Sequence, residues 1–459
     1  MRRVIALCAA LATLGACTAP PEVTSGPPGA ITIPSLPPMK RFAAVEPRPA
    51  VVSNADLTRD FLDLAFALES GRALPVFTRF EGPVTLRVTG SPPPTLRIDL
   101  SRLLSRLRRE AGIDITRTTA RNAAITIEAV PRKSIQAVLP EAACFVVPNV
   151  GSLSEYRTKT SDPATRWSEL RARTRLAIFL PSDASPQEAR DCLHEELAQA
   201  LGPLNDLYRL SDSVFNDDNF HTVLTSHDML ILRAFYDPAL QTGMDRDTVA
   251  RALPAIFARL NPDGQTRPAR RLPRTPPEWS AAMQTALGPG ASLVQRQRAA
   301  TQAVAIAARL NWQDHRRGFA HFARGRLTQP GSGARAETEF QTALRYFGDG
   351  PETAPHRAYA TAQLAAQALA RGAPDTALRL VTPYLAPAQR AENAALLTSL
   401  MLIQAEALDA LGRTAEARSV RLDSLGWARY GFGPDWAVRA KIDEIGALRT
   451  ISASQGGGS

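Results

Sequence analysis

The segment from Ser185 to Asp206 constrains the fold of this chain more than any other stretch. Ser185 is a good helix cap and Pro186 suits the first helical turn, so the sequence predicts that a helix begins here. Further along, the run HEELAQALGPLND places Glu195 and Gln199 four residues apart, which puts both side chains on one helical face. The sequence therefore predicts a helix that presents a polar pair to a single site.

Read from Glu195, the run is EExxQxxGxxND, and it resembles the zinc signature of metzincin peptidases, HExxHxxGxxH, with the histidines replaced. The resemblance implies that four residues stand at or beside the ligand positions: Glu195, Gln199, Asn205 and Asp206. It also implies that Glu196 stands for the general base, Gly202 for the turn and Phe215 for the methionine of the Met-turn. The fold that it implies is an α+β zincin-like domain with a mixed sheet packed against helices.

The donors at these positions argue against zinc. Tetrahedral zinc sites favour nitrogen and sulfur ligands, whereas these positions carry carboxylates and neutral amides. We therefore expect an inactive site with no metal and no other cofactor. The alternative is a zinc metallopeptidase with a non-standard ligand set, in which Glu196 acts as base and the metal is bound by some of Glu195, Gln199, Asp206, His194 and His221.

The N-terminus has the pattern of an exported lipoprotein. Two arginines precede an apolar run from Val4 to Ala12, and the sequence LGAC then ends at Cys17. We expect residues 1–16 to be a signal peptide, Cys17 to be lipidated and the proline-rich residues 17–51 to be a tether. The protein would then be anchored by lipid in the bacterial cell envelope, facing the periplasm. An ordinary signal peptide, cleaved before an incidental Cys17, is the alternative.

Two further cysteines, Cys144 and Cys192, are present in the mature chain. An oxidising compartment and an even number of thiols favour a disulfide between them. The alternative is that both are small buried side chains without a bond.

Residues 52–260 alternate between helical and strand patterns. Ahead of the motif helix we predict helices over Ala55–Ser70 and Leu96–Ala111, and strands over Val76–Phe80, Val84–Val88, Ile125–Val130, Cys144–Val147 and Arg175–Leu180. Another helix is predicted after it, within Leu224–Pro238. The order agrees with the zincin-like domain that the motif implies.

A different composition begins beyond residue 260. Residues 261–290 are rich in proline and are predicted to be a linker. In residues 291–450, glycine and alanine recur five apart at Gly331/Ala336, Gly372/Ala377 and Gly412/Ala417, pairs that are 41 and 40 residues apart. This spacing resembles lengthened tetratricopeptide repeats and predicts an all-α tetratricopeptide-like helical repeat domain. A non-repeating helical bundle is the alternative, and residues 451–459 are predicted to be a flexible tail or an expression scar.

Charge and composition narrow the function. The net charge of +10 comes almost entirely from arginine, but no arginine cluster alternates with aromatic residues, so we expect no nucleic-acid partner. The lipobox together with EExxQxxGxxND is similar to a bacterial lipoprotein family of unassigned function. We expect an envelope lipoprotein whose inactive metzincin-like domain and helical repeats bind or scaffold proteins. Its partners would be envelope proteins or peptides, and the membrane through the lipid anchor.

Overall fold

The computed structural model describes residues 36–43, 49–329 and 331–456. The predicted signal peptide, the lipidation site Cys17 and most of the predicted tether lie outside these residues. The part of the tether from Pro37 to Ala43 forms neither helix nor strand. It packs on the C-terminal helices, where the ring of Phe42 stacks on Trp427 at 4.6 Å.

The described chain has five α-helices and five β-strands up to and including the motif helix. They are α1 (Asn54–Ala65), β1 (Val84–Gly90), α2 (Leu96–Glu110), β2 (Ile115–Arg117), β3 (Ile125–Val130), α3 (Arg132–Gln136), β4 (Phe145–Pro148), α4 (Leu153–Lys159), β5 (Leu176–Pro181) and α5 (Pro186–Leu201). Helix α5 is the motif helix. Its cap is Ser185, whose hydroxyl accepts a hydrogen bond from the backbone N–H of Glu188.

The strands form one five-stranded sheet in the order β2-β1-β3-β5-β4. All neighbours are parallel except β4, which lies antiparallel to β5 at the edge. Strand β5 is buried along its whole length, as its apolar run LAIFLP requires. The main core lies between the sheet and the apolar faces of α1, α2, α5 and two later helices.

One predicted strand is wrong. Residues Val76–Phe80 do not join the sheet, because their backbone pairs with a loop: Phe77 N–H donates to the carbonyl of Met244, and Gly243 N–H donates to the carbonyl of Phe77. Both Phe77 and Phe80 are buried, so the run is apolar for packing rather than for strand pairing. The short strand β2, which the sequence did not predict, is the fifth strand of the sheet.

Beyond α5 the described chain forms helices and loops, without a further strand. The helices are α6 (Ser226–Phe235), α7 (Arg246–Leu260), α8 (Pro277–Leu287), α9 (Leu293–Arg309), α10 (His315–Thr328), α11 (Gly333–Phe347), α12 (Ala354–Ala370), α13 (Pro374–Val381), α14 (Leu385–Arg390), α15 (Ala394–Ala410), α16 (Thr414–Phe432) and α17 (Asp435–Gly456). The protein is thus mixed α/β, with the sheet in its N-terminal part and a helical C-terminal part. Among the described residues, no helix combines the length and the apolar character needed to cross a membrane.

Part of the predicted linker 261–290 is helical. Residues 262–265 form a short 3₁₀ helix, and α8 occupies residues 277–287. Trp279 of α8 is fully buried, with its ring 5.0 Å from that of Tyr208 and 5.4 Å from that of Trp312. The proline-rich segment therefore carries part of an apolar core.

The recurring glycine and alanine pairs lie at equivalent places in three helical hairpins. Each glycine follows the first helix of a pair, α10/α11, α12/α13 or α15/α16, and each alanine lies in the second helix. Ala336, Ala377 and Ala417 are fully buried, as close approach of the two helices requires. Gly372 and Gly412 have φ of 73° and 76°, a conformation that favours glycine at the end of a helix.

The structure contains a disulfide between Cys144, just before β4, and Cys192 on α5. Its reduction is expected to lower the free energy of unfolding by about 4 kcal/mol, because the unfolded chain regains the freedom of a loop that the bond closes. The measurement is denaturant unfolding with and without reductant. The double variant Cys144→Ser/Cys192→Ser should match the reduced wild type and ignore the reductant. An equal response of both proteins would contradict the prediction.

Candidate functional site

The C-terminal end of α5 is held by one arginine. The Arg173 side chain is buried, and its guanidinium donates hydrogen bonds to the carbonyls of Gln199, Ala200 and Gly202 at 2.6, 2.7 and 2.5 Å. These carbonyls lack helical partners, and a cation is favourable at this end of a helix. Burial lowers the pKa of Arg173 to about 10, so the side chain stays charged at neutral pH.

Gly202 ends the motif helix at a crowded position. A Cβ atom there would lie 2.7 Å from Cδ1 of Phe235. That ring cannot easily move, because it is buried between Phe61 and Phe77, at 4.4 and 5.2 Å between ring centroids. Glycine is therefore required by the close approach of α6.

Gly202→Ala is expected to lower the free energy of unfolding by about 1–3 kcal/mol, because the new methyl group overpacks the core. The matched control is Gly446→Ala, since a Cβ at this position in α17 meets nothing within 4 Å. Alanine favours a helix interior, so the control should be neutral or slightly stabilising. Denaturant unfolding of both variants checks this, and equal effects would count against the packing argument.

A cavity of about 530 Å³ opens between α5 and the edge strand β4. Six of the side chains that line it are carboxylic: Glu69, Glu141, Glu195, Glu196, Asp206 and Asp217. Among the described residues that line it, none is lysine, arginine or histidine. We call it the carboxylate cavity, and its charge contrasts with the net charge of +10 of the chain.

Several of the predicted site residues line this cavity. They are Glu195, Glu196, Gln199 and Asp206. The motif helix and the loop after it thus bring one amide and three carboxylates together.

Other predicted site residues lie elsewhere. Asn205 points away from the cavity lining, and its amide donates to the carbonyl of Asp63 at 2.9 Å. Phe215 is fully buried in the main core. His194 Nδ1 accepts a hydrogen bond from Leu224 N–H at 3.1 Å, and His221 Nε2 lies 2.9 Å from the carbonyl of Glu352.

The sequence did not assign Glu69, Glu141 or Asp217 to the site. Asp217 lies two residues after Phe215, in the stretch that resembles the Met-turn. Its position could have indicated the site, although aspartate is not a residue type that this turn requires. Glu69 follows α1 and Glu141 precedes β4, and neither belongs to a motif. Only the folded chain brings them to the motif helix.

The loop after α5 fixes the positions of Asp206 and Asp217, and helices of the C-terminal part hold it. His315 Nε2 lies 2.7 Å from the carbonyl of Tyr208, and His356 Nε2 lies 2.9 Å from Oδ2 of Asp218. The ring of Phe220 packs against that of His356 at 4.3 Å. The geometry of the cavity therefore depends on both parts of the protein.

Burial and mutual repulsion shift the protonation of the cluster. Burial, with the charges of Glu69 and Asp217, raises the pKa of Glu195 to about 8. Burial and the charge of Glu195 raise the pKa of Glu196 well above its usual range. Burial likewise raises the pKa of Asp217 to about 6 and that of Asp206 well above its usual range, with Glu69 adding to both. In the protein alone, part of the cluster therefore keeps its protons at neutral pH.

Three of these residues are close enough to share an ion. One carboxylate oxygen each from Glu69, Asp206 and Asp217 lies within 4.8 Å of the other two. All three donors are oxygens, which suit calcium, magnesium and manganese better than zinc.

Glu195→Gln is expected to make stability less dependent on pH. The pKa of Glu195 in the folded protein, about 8, lies above its ordinary value of 4.5. The contribution of this carboxyl to the free energy of unfolding is therefore most favourable below pH 4.5 and is lost as the pH rises toward 8. The amide has no proton to lose. The variant should therefore exceed the wild type at pH 8 by on the order of 2 kcal/mol and match it much more closely at pH 5.

The measurement is denaturant unfolding of chelator-treated protein at both pH values. The control is Glu416→Gln, because Glu416 is exposed and its pKa is lowered by a hydrogen bond from Arg413. Its effect should be the same at pH 5 and pH 8. A Glu195→Gln effect on stability that does not grow with pH would show that the fold does not raise the pKa of this carboxyl.

A family model described as a protein of unknown function (DUF2927) matches residues 54–255. The match begins with α1 and ends within α7, so it contains the sheet, the motif helix and all residues that line the carboxylate cavity. No curated protein matches the chain, and no solved structure does. Residues 54–255 are therefore similar to a family whose function is unassigned.

Proposed function

We propose that the protein is an envelope lipoprotein whose residues 54–255 are a polypeptide-binding module without hydrolytic activity. The scaffold proposed for this module is a degenerate metzincin, or zincin-like, domain. The observation that carries the proposal is the lining of the carboxylate cavity, which offers oxygen donors where a zinc peptidase needs imidazole.

The environment of Glu196 also argues against hydrolysis. A general base must be ionised and within reach of a water molecule. Glu196 is buried, with an exposed fraction of 5%, and burial together with the charge of Glu195 raises the pKa of its carboxyl well above the usual range, which favours the protonated form. A protonated carboxyl cannot take the proton from an attacking water.

The edge strand β4 supports polypeptide binding. No other described strand pairs with its outer side, and Cys144, Phe145 and Val146 line the carboxylate cavity. An extended peptide can add to such an edge through main-chain hydrogen bonds, while its side chains enter the neighbouring pocket. The disulfide at Cys144 keeps β4 next to the motif helix.

The C-terminal helices support a scaffolding role. Hairpins with equivalent glycine and alanine pairs pack side by side, as the units of tetratricopeptide-like repeats do. Such arrays present long surfaces to other proteins. Lipidation at Cys17 would hold both parts at the membrane surface.

The rival proposal is a zinc metallopeptidase with unusual ligands. Among its candidate ligands, only His194 and His221 offer the nitrogen donors that zinc favours. Each ring instead has a backbone partner, and neither lines the carboxylate cavity. This favours the binding module.

Site-specific photocrosslinking in intact envelopes tests the proposal. Glu141 is exposed and lines the cavity beside β4, so a benzoylphenylalanine at this position should form crosslinks to a polypeptide. The same residue at Arg121, exposed in the loop before β3, is the matched control and should not. The crosslinks should map to one contiguous, uncut segment of the partner. Equal crosslinking at both positions, or none, would contradict binding at this edge.

A second measurement addresses catalysis. Purified protein should not cut unfolded polypeptides, with or without added zinc. The rival would prevail if the protein carried about one equivalent of zinc, cut polypeptides in a chelator-sensitive way and lost both properties in Gln199→Ala.

A further inference from the structure

The carboxylate cavity holds an arrangement that polypeptide binding does not explain. Glu69, Asp206 and Asp217 converge from the end of α1 and from two places in the loop after α5, so no single motif unites them. One oxygen from each lies within 4.8 Å of the other two. Carboxylates this close repel one another unless a proton or a cation lies between them.

A second observation points to a ligand. The exposed fraction of Glu196 is only 5%, and this residue lines the same cavity. Its Oε2 atom has no hydrogen-bond partner among the described residues, and neither has Oδ1 of Asp206. Buried carboxylate oxygens usually have a partner, because a buried acceptor without one has lost its hydrogen bonds to water and gained none in return. Both residues line the carboxylate cavity, so a cation bound there with its water would supply the missing partners.

The dimensions of the cluster fit one particular class of ion. Calcium binds six to eight oxygens at about 2.3–2.6 Å, so two ligands of one ion lie up to about 5 Å apart. The cavity of about 530 Å³ leaves room for water to complete that shell. Magnesium usually takes only one or two carboxylates, and zinc favours nitrogen or sulfur donors.

We propose that the carboxylate cavity is a calcium site, in which Glu69, Asp206 and Asp217 bind the ion directly. Glu195 and Glu196 line the same cavity from the motif helix. A cleft lined by charge of one sign concentrates its counterion, although the chain as a whole is basic. The site does not depend on the polypeptide partner, and its ligands differ from the four positions that the zinc signature marks, apart from Asp206.

Trp167 provides a test of where the ion binds. It lines the cavity, whereas the other tryptophans, at 279, 312, 427 and 436, lie in the helical part. Terbium replaces calcium at oxygen sites and emits light when a tryptophan close to it is excited. The chelator-treated protein should therefore show sensitised terbium emission that calcium displaces. Trp167→Phe should abolish most of that emission, while calorimetry still detects calcium binding.

Calorimetry of the purified full chain identifies the ligands. The wild type should bind one calcium per chain with a Kd between about 10⁻⁶ and 10⁻³ M, and magnesium more weakly. Asp217→Asn and Glu69→Gln should each weaken calcium binding at least tenfold, since losing even an outer-shell partner of a metal site costs about 10–100-fold in affinity. Glu69 is exposed, so its substitution tests the site even if Asp217→Asn does not fold. Glu444→Gln, at an exposed carboxylate on α17, is the matched control and should bind like the wild type.

Four results of these measurements would contradict the calcium site. Absence of saturable calcium binding up to millimolar concentration would overturn the proposal, as would calcium binding that both ligand variants retain. Stoichiometric zinc without calcium would also overturn it, and would favour the peptidase. Terbium emission that survives Trp167→Phe would place the ion elsewhere. No partner is present in these measurements, so their failure leaves the crosslinking result unaffected.

Discussion

The buried guanidinium of Arg173 is the interaction on which the rest of the site depends. It satisfies three carbonyls at the end of α5 and also donates to the hydroxyl of Thr78 at 3.2 Å. Its charge lies 5.3 Å from the centroid of the Trp167 ring, which walls the carboxylate cavity. One cation thus fixes where the helix stops, where the following loop starts and where one wall of the cavity stands. Without it, three buried carbonyls would lose their donors at once.

Local signals predicted those parts of the fold whose cause is local. Strand β3 was predicted at its observed bounds because its apolar run has clear ends, and α5 begins where Ser185 and Pro186 indicate. Residues 76–80 were misread as a strand because an apolar pattern does not reveal what its backbone pairs with. The three-residue strand β2 is too short for a periodic pattern, and its parallel pairing with β1 creates it.

The candidate site was predictable only in part, for a related reason. Glu195, Glu196, Gln199 and Asp206 share one helix and its loop, so their spacing alone placed them together. The carboxyl of Glu69 lies 137 residues before Asp206 in the chain, and only the packing of α1 against the core brings it near. Asn205 has the spacing of a ligand, but its buried amide donates to the carbonyl of Asp63, a partner 142 residues earlier in the chain that the spacing cannot reveal.

The sheet and the C-terminal helices depend on each other. Gln187 of α5 accepts a hydrogen bond from Ala395 N–H and donates one to Asn393, at the start of α15. Near the cavity, Asp218 is paired with His356 of α12. The predicted boundary at residues 261–290 marks a change of composition. Residues before it and residues after it nevertheless both form hydrogen bonds to the loop that follows α5.

The docked segment before α1 has a mechanical consequence. Phe42 stacks on Trp427 of α16, its carbonyl accepts a hydrogen bond from Arg102 of α2, and Lys40 N–H donates to the carbonyl of Gly426. A force applied to the chain ahead of this segment would first load α16 and α2. The sheet edge at β4 would bear none of that load until Phe42 was pulled from its stack. The stacking of Phe42 on Trp427 would therefore keep tension on the preceding chain from reaching the carboxylate cavity.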